Sequence, residues 1–98
     1  MAADRRCLLS PAAESDLEDI WRYTEGTWST EQAEHYLREI IAAFGELAAG
    51  RRQGRKVQVR PGYLKHAVGS HVIYFRDRGL WIEIIRVLHR RQDVDSNL

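Results

Sequence analysis

The hydrophobic period of this chain changes once, at Gly50, and that change decides most of the architecture. Before Gly50 the apolar positions follow helical spacing: Ala13, Leu17, Ile20, Trp21 and Thr24, then Ala33, Tyr36, Leu37, Ile40, Ile41, Phe44 and Leu47. After it, Leu64 to Val68, His71 to Arg76 and Leu80 to His89 read as strands, separated by Gly69-Ser70 and by Asp77-Arg78-Gly79. Gly-Ser suits a two-residue type II′ turn, and a three-residue loop ending in glycine suits a type I turn with a left-handed last residue. Both connections make hairpins, so the second half is a three-stranded antiparallel meander.

The first half is bounded as sharply. Arg6 to Leu9 is a brief apolar run, and Ser10-Pro11 then supplies an N-cap hydroxyl followed by proline at the first helical position, where a missing N–H is harmless. Glu14, Asp16, Glu18 and Asp19 crowd the early turns and suit the positive end of the helix dipole, and Gly26 is placed to end the helix. Ser29 with Gln32 has the form of a capping box, with Trp28 placed to staple onto Ala33, and the second helix runs until Gly50. Two amphipathic helices joined by so few residues form an antiparallel hairpin. The expected fold is α+β, a single two-layer domain over residues 1–98 in the order β-α-α-β-β-β.

A chain of 98 residues has room for one core. Cys7 is the lone cysteine, so no intramolecular disulfide is possible, and neither a signal segment nor a long apolar run is visible. A cytoplasmic protein that does not enter a membrane is the expectation. Cut at Gly50, the chain carries four Lys/Arg against ten Asp/Glu in its first half and eleven against four in its second, net −6 and +7. The basic half should attract acidic protein segments or phosphates, unless the two halves simply neutralise each other within one domain. Residues 50–56, GRRQGRK, read as a solvated linker.

In the longest strand Trp81, Ile85 and Val87 alternate with Ile82, Ile84 and Leu88, so neither face is fully polar. The helical hairpin covers one face, and the other needs a partner chain or the chain's own loops and tail, since each large apolar side chain left wet forgoes roughly 1.5–3 kcal/mol. The histidines 35, 66, 71 and 89 have no ligand spacing on one helix face, and no glycine pattern cradles a nucleotide. No metal or cofactor is expected.

Three phrases, LLSPAAESDLEDIWRYT at 8–24, RPGYLKHAVGSHVIYFR at 60–76 and IEIIRVLHRRQD at 82–93, resemble the ParE branch of the RelE/ParE toxin superfamily in order and spacing. The resemblance implies the toxin of a type II toxin–antitoxin pair, a protein inhibitor of DNA gyrase silenced by a ParD-like antitoxin in a hetero-oligomer. It implies DNA contact only within a gyrase complex or an antitoxin–operator complex, and no catalytic residues. Under it, Arg86, His89, Arg90, Arg91 and Asp93 form the surface that meets the target. An acidic antitoxin tail would dock as a helix around Leu17, Trp21, Tyr36 and Ile40, and would set its carboxylates against Arg60, Lys65 and Arg76. Two other functions share the fold. One is a ribosome-dependent mRNA endoribonuclease, which needs a proton donor, an acceptor and cations on the phosphate. Arg86 and His89 have opposite strand parity, so they point to different faces unless a bulge intervenes. The other is a non-toxic module that keeps only antitoxin binding.

Overall fold

Ser10 ties together three elements. In the computed structural model, which describes residues 5–92 and 98, strand β1 (Arg6–Leu9) runs into helix α1 (Pro11–Thr27) through this residue. The Ser10 hydroxyl accepts the Ala13 N–H at 3.0 Å and donates to the Ile85 carbonyl at 2.7 Å, while its own N–H donates to the Ile84 carbonyl at 3.0 Å. Helix α1 passes through Gly26 and ends at Thr27. Gly26 is not among the glycines with left-handed backbone, so it continues the helix where the sequence had placed its end.

Ser29 caps helix α2 (Thr30–Ala48) by accepting the Gln32 N–H at 3.1 Å. The expected staple is absent: Trp28 is 72% exposed, and its N–H is spent on the Thr24 carbonyl at the end of α1. Helix α2 closes as predicted on Gly50, whose φ is 78°. Gly50 and Arg51 donate back to Leu47 and Glu46, the pattern that satisfies the last helical carbonyls. Ile41, placed in the apolar stripe by spacing alone, lies on its outer margin and is exposed.

The remaining elements are β2 (Arg55–Lys56), β3 (Leu64–Val68), β4 (His71–Asp77) and β5 (Trp81–His89). They form one five-stranded sheet in the order β1-β5-β4-β3-β2. The meander is as expected, with two additions. Strand β1 lies parallel to β5, Arg6 opposite Trp81 and Leu9 opposite Ile84. Part of the presumed linker becomes β2, where Arg55 and Lys56 pair with Lys65 and Leu64. Gly69 has φ 56° and Ser70 is not among the residues with positive φ, as a type II′ turn at Gly69-Ser70 requires.

A bulge resets the faces of β5. Tyr74 pairs with Arg86 and Phe75 with Ile84, leaving Ile85 without a partner. The extra residue reverses the alternation. Ile82, Ile84 and Val87 therefore share the core beneath the helices, with Ile20, Ile40, Phe44, Leu47, Ile73 and Phe75. The sequence had split Ile82 and Ile84 from Val87, because unbroken alternation cannot foresee a bulge. Leu88 turns to the opposite face, where a smaller core of Val57, Tyr74 and Leu88 is covered by Tyr63, Val72 and Leu98. That face is thus partly closed by the chain itself, while Leu8 and Trp81 stay exposed at its β1 end.

Asp16 fixes the segment beyond the bulge. It is the buried charged residue of the structure, 8% exposed, among the described residues. Its Oδ2 accepts from Arg86 Nε at 2.8 Å and from the Val87 N–H at 2.9 Å, and its Oδ1 accepts from Arg86 Nη2 at 2.8 Å. The sequence reading had assigned Asp16 to the exposed acidic turn that answers the helix dipole. Three donors converge on one carboxylate, so removing it strands a half-buried guanidinium and a buried backbone N–H. Asp16→Ala is expected to lower the unfolding free energy by about 3 kcal/mol in urea melts. A loss under about 1 kcal/mol, the scale of a surface pair, would show that this contact does not hold the bulge.

Candidate functional site

The last pair of the β4–β5 ladder places His71 opposite His89. Both follow the parity of Val87 and Ile73, so their rings stand on the helix-facing side at the open end of the sheet. The ring centroids are 5.2 Å apart and nearly perpendicular. From α2, Tyr36 reaches over this pair with its hydroxyl 2.6 Å from His71 Nδ1, and it accepts the Ser70 N–H at 3.0 Å. A Cβ on Gly69 would lie 2.8 Å from the Tyr36 ring, so the left-handed glycine is also the one residue small enough to let the tyrosine through.

Beyond β5 the chain folds back on this cluster. The Arg90 N–H donates to the Ser70 carbonyl at 2.8 Å, and the Arg90 guanidinium reaches the Gly69 carbonyl at 3.3 Å. The His89 N–H donates to Gln92 Oε1 at 2.9 Å, and His89 Nδ1 accepts the Arg91 N–H at 3.0 Å. The proton of a neutral His89 therefore sits on Nε2. Asp16, Tyr23, Arg86 and Gln92 complete a cleft with the two histidines. The Arg90 and Arg91 side chains are exposed, Arg91 beside Tyr36, His71 and His89, and Arg90 in a groove with Lys65, Val72 and Tyr74.

Electrostatics set the chemistry. Burial pushes His71 down to about 4, and the neighbouring His89 pushes the same way against a smaller opposing pull from Asp16. At neutral pH His71 is an uncharged and feeble base. Burial raises Tyr36 above its ordinary value, so its hydroxyl stays protonated. Arg86 is raised, first by its hydrogen bond to Asp16. The cluster can position and recognise, and its His71 is too weakly basic to serve as a general base near neutral pH.

The expected target surface is partly assembled here. His89 shares one cleft with Arg86, whose fork is committed to Asp16, and another with Arg91; Arg90 turns to a separate groove, and Asp93 lies outside the described residues. The expected antitoxin residues divide in two. Leu17 and Trp21 are half-buried on α1, Tyr36 is tied to His71, and Ile40 has no exposed surface. Ile40 is corrected to a core residue, since a side chain at 0% exposure has nothing to offer a partner. Arg60 and Arg76 lie on the opposite sheet face, stacked on the Tyr63 ring at 5.5 and 5.2 Å, with Lys65 nearby in a groove shared with Arg55 and Tyr74.

Sequence reasoning missed Asp16, His71 and Tyr63 as organisers. Asp16 had a visible signal, a charge three residues after Ala13 and four before Ile20, on the buried stripe itself. His71 had none, because its pairing with His89 depends on the bulge. No helix among the described residues is long and apolar enough to cross a membrane.

A helical hairpin laid on a mixed five-stranded sheet is an arrangement that recurs in a protein fold already solved. The chain matches a structure described as the chromosomal ParDE TA system from P. aeruginosa, with a TM-score of 0.76 and 21% identity over 88% of this chain and 96% of that one, a likeness of fold. In sequence it is 50% identical over 95 residues to Toxin ParE1 of Mycobacterium tuberculosis, covering 95% of this chain and 97% of that protein. It is 42% identical over 91 residues to Toxin ParE1 of Caulobacter vibrioides, covering 92% and 94%. Residues 7–94 match the family described as ParE toxin of type II toxin-antitoxin system, parDE. The chain belongs to that family.

The depressed His71 links folding to pH. In the unfolded chain it takes a proton near 6.5, in the folded one only near 4, so its contribution is intact above 6.5 and is lost as pH falls through that interval. The full shift corresponds to about 3 kcal/mol, and partial solvent access reduces it to about 2. Melts of the wild type between pH 7 and pH 4 should therefore fall more steeply than those of His71→Gln. Parallel profiles would show that His71 is not held neutral by the fold.

Proposed function

We propose that this ParE-family toxin acts in the cytoplasm by inhibiting DNA gyrase, without catalysing a reaction, and is neutralised by a ParD-like antitoxin in a hetero-oligomeric complex. The observation that carries the reading beyond family membership is the state of the β5 end. The Nδ1 atoms of its histidines and the Tyr36 hydroxyl are taken up by one another or by backbone N–H groups, while the exposed Arg90 and Arg91 side chains carry permanent charge. Guanidinium forks serve recognition of carboxylates or of DNA phosphates within a gyrase complex; chemistry would require a neighbour of tuned pKa.

The convergence of Tyr36, His71 and His89 favours a second reading, a nuclease of the RelE type. Against it stand the weak basicity of His71 and the occupation of His89 Nδ1 by the Arg91 N–H. The antitoxin, in turn, meets two separate surfaces, the outer side of α1 at Leu17 and Trp21 and the cations Arg60, Lys65 and Arg76 across the sheet. A segment reaching both has to wrap around the domain, and its acidic residues make association slower in high salt.

Induction of the chain without an antitoxin distinguishes the readings. Filamentation with a DNA-damage response, together with inhibition of gyrase supercoiling by the purified protein, is the expected result. Rapid translation arrest with cleaved mRNA would replace it by the nuclease, and normal growth by a non-toxic binding module. Arg90→Ala with Arg91→Ala should reduce toxicity at least tenfold while leaving antitoxin affinity within about twofold. His89→Gln should remain toxic, and its complete inactivity in a folded protein would sink the gyrase reading if mRNA cleavage is found alongside.

A further inference from the structure

Trp28 has no place in either core. It is 72% exposed between the two helices, and Tyr23, near the end of α1, is 69% exposed. Both rings border one cleft of about 480 Å³, bounded elsewhere by the first turns of α2, the Gly69-Ser70 hairpin and the chain just beyond β5. That volume lies in the range of small-molecule sites, roughly 300–1,000 Å³.

The half-buried floor of the cleft is internally bonded, yet it keeps two donors to spare. The Tyr36 hydroxyl has one proton, and His71 Nδ1 at 2.6 Å is a nearer acceptor than the Val68 carbonyl at 3.3 Å. His71, uncharged at neutral pH, therefore carries its own proton on Nε2, as a neutral His89 does. Neither Nε2 has a partner among the described residues. The side chains of Thr24 and Gln32 and the Arg91 guanidinium, on the same cleft, are likewise without partners among the described residues. Among those residues the lining contains no carboxylate, and Asp16 and Asp19 of the adjoining cleft are paired with Arg86 and Arg22.

Flat rings open to solvent, an amide that both donates and accepts, and a permanent cation beside two imidazole N–H donors match the three parts of one ligand. These are a base face that stacks, a base edge that pairs, and a phosphate. An aliphatic acidic segment would use the cation and leave both ring faces unmatched. We propose that this cleft binds a nucleotide, its base stacked on Trp28 or Tyr23 with its edge on Gln32, and its phosphate on Arg91 and the Nε2 protons of His71 and His89. The same contacts serve a free nucleotide and one unit of a single strand. The site shares Arg91 with the target surface proposed above, but it is tested without gyrase, so failure of one leaves the other to be judged by its own assay.

The probe is AMP, titrated into the full chain and followed by backbone amide shifts and by the indole N–H of Trp28. Saturable shifts at Thr24, Gln32, Ser70, His71 and Arg91, with a Kd at or below about 1 mM, are expected. Adenosine and inorganic phosphate, each offering part of the ligand, should bind roughly tenfold more weakly. Trp28→Ala should weaken AMP about tenfold and Arg91→Ala about fivefold, both with unchanged melting temperature, while Trp28→Phe keeps most of the affinity. A short oligodeoxyadenylate distinguishes the sources: binding about tenfold tighter than AMP and weakened by salt marks a single strand, and equal affinity marks a free nucleotide. Phosphate alone matching AMP in shifts and affinity would reduce the cleft to general attraction of anions and overturn the proposal, as would AMP binding that survives Trp28→Ala unchanged. No shift at millimolar AMP would withdraw the site, and antitoxin-induced shifts at Trp28 would then assign the rings to protein docking.

Discussion

One carboxylate holds the two layers of this domain in register. Asp16, projecting from α1, takes both arms of the Arg86 guanidinium and the Val87 N–H immediately after the bulge at Ile85. Ser10, a turn and a half earlier on the same helix, takes the Ile84 and Ile85 carbonyls on the other side of the bulge. An unpaired residue in mid-strand leaves backbone groups without a ladder partner. Here the helix start supplies those partners, so the irregularity of β5 and the entry of α1 specify each other.

The effect reaches the far end of the strand. Because the bulge reverses alternation, Val87 returns to the main core, His89 follows it onto the helix side, and Leu88 is sent to the second core. Without the extra residue His89 would face away from Tyr36 and His71, and the cluster that pins the Gly69-Ser70 turn would not exist. The geometry of the toxin's cationic rim is in this sense decided at Ile85, several residues before the first arginine of that rim.

Much of this was legible in the residues, and what was not had a common cause. Ser10-Pro11, Ser29 and Gly50 mark helix ends by local chemistry, and Gly69-Ser70 marks a hairpin, so these were readable from a few neighbouring positions. The failures are non-local. β1 beside β5, the two-residue β2, and the pairing of His71 with His89 all depend on where distant strands meet. Ile40 looked like a partner contact because an amphipathic stripe says which side is apolar and leaves open what covers it. Once the sheet is in place, Ile40 is sealed beneath α2 and Tyr36 is spent on His71 and Ser70. Asp16 is the instructive exception: its place on the apolar stripe advertised a buried charge that dipole arguments had explained away.

The parallel pairing of β1 with β5 carries a kinetic consequence. The first strand to be synthesised finds its only neighbour in the last, Arg6 against Trp81, and β5 also supplies the ladder for β4 and the carbonyls that α1 needs at its start. Loop closure over almost the whole chain must come before that ladder stabilises anything. A nascent chain lacking residues 81–89 has the helices and the β3–β4 hairpin, joined through contacts such as Tyr36 on Ser70 and His71, but not the strand that pairs β1 and fixes the start of α1. The complete sheet therefore cannot form during translation, and any activity that depends on it begins only after β5 has emerged from the ribosome.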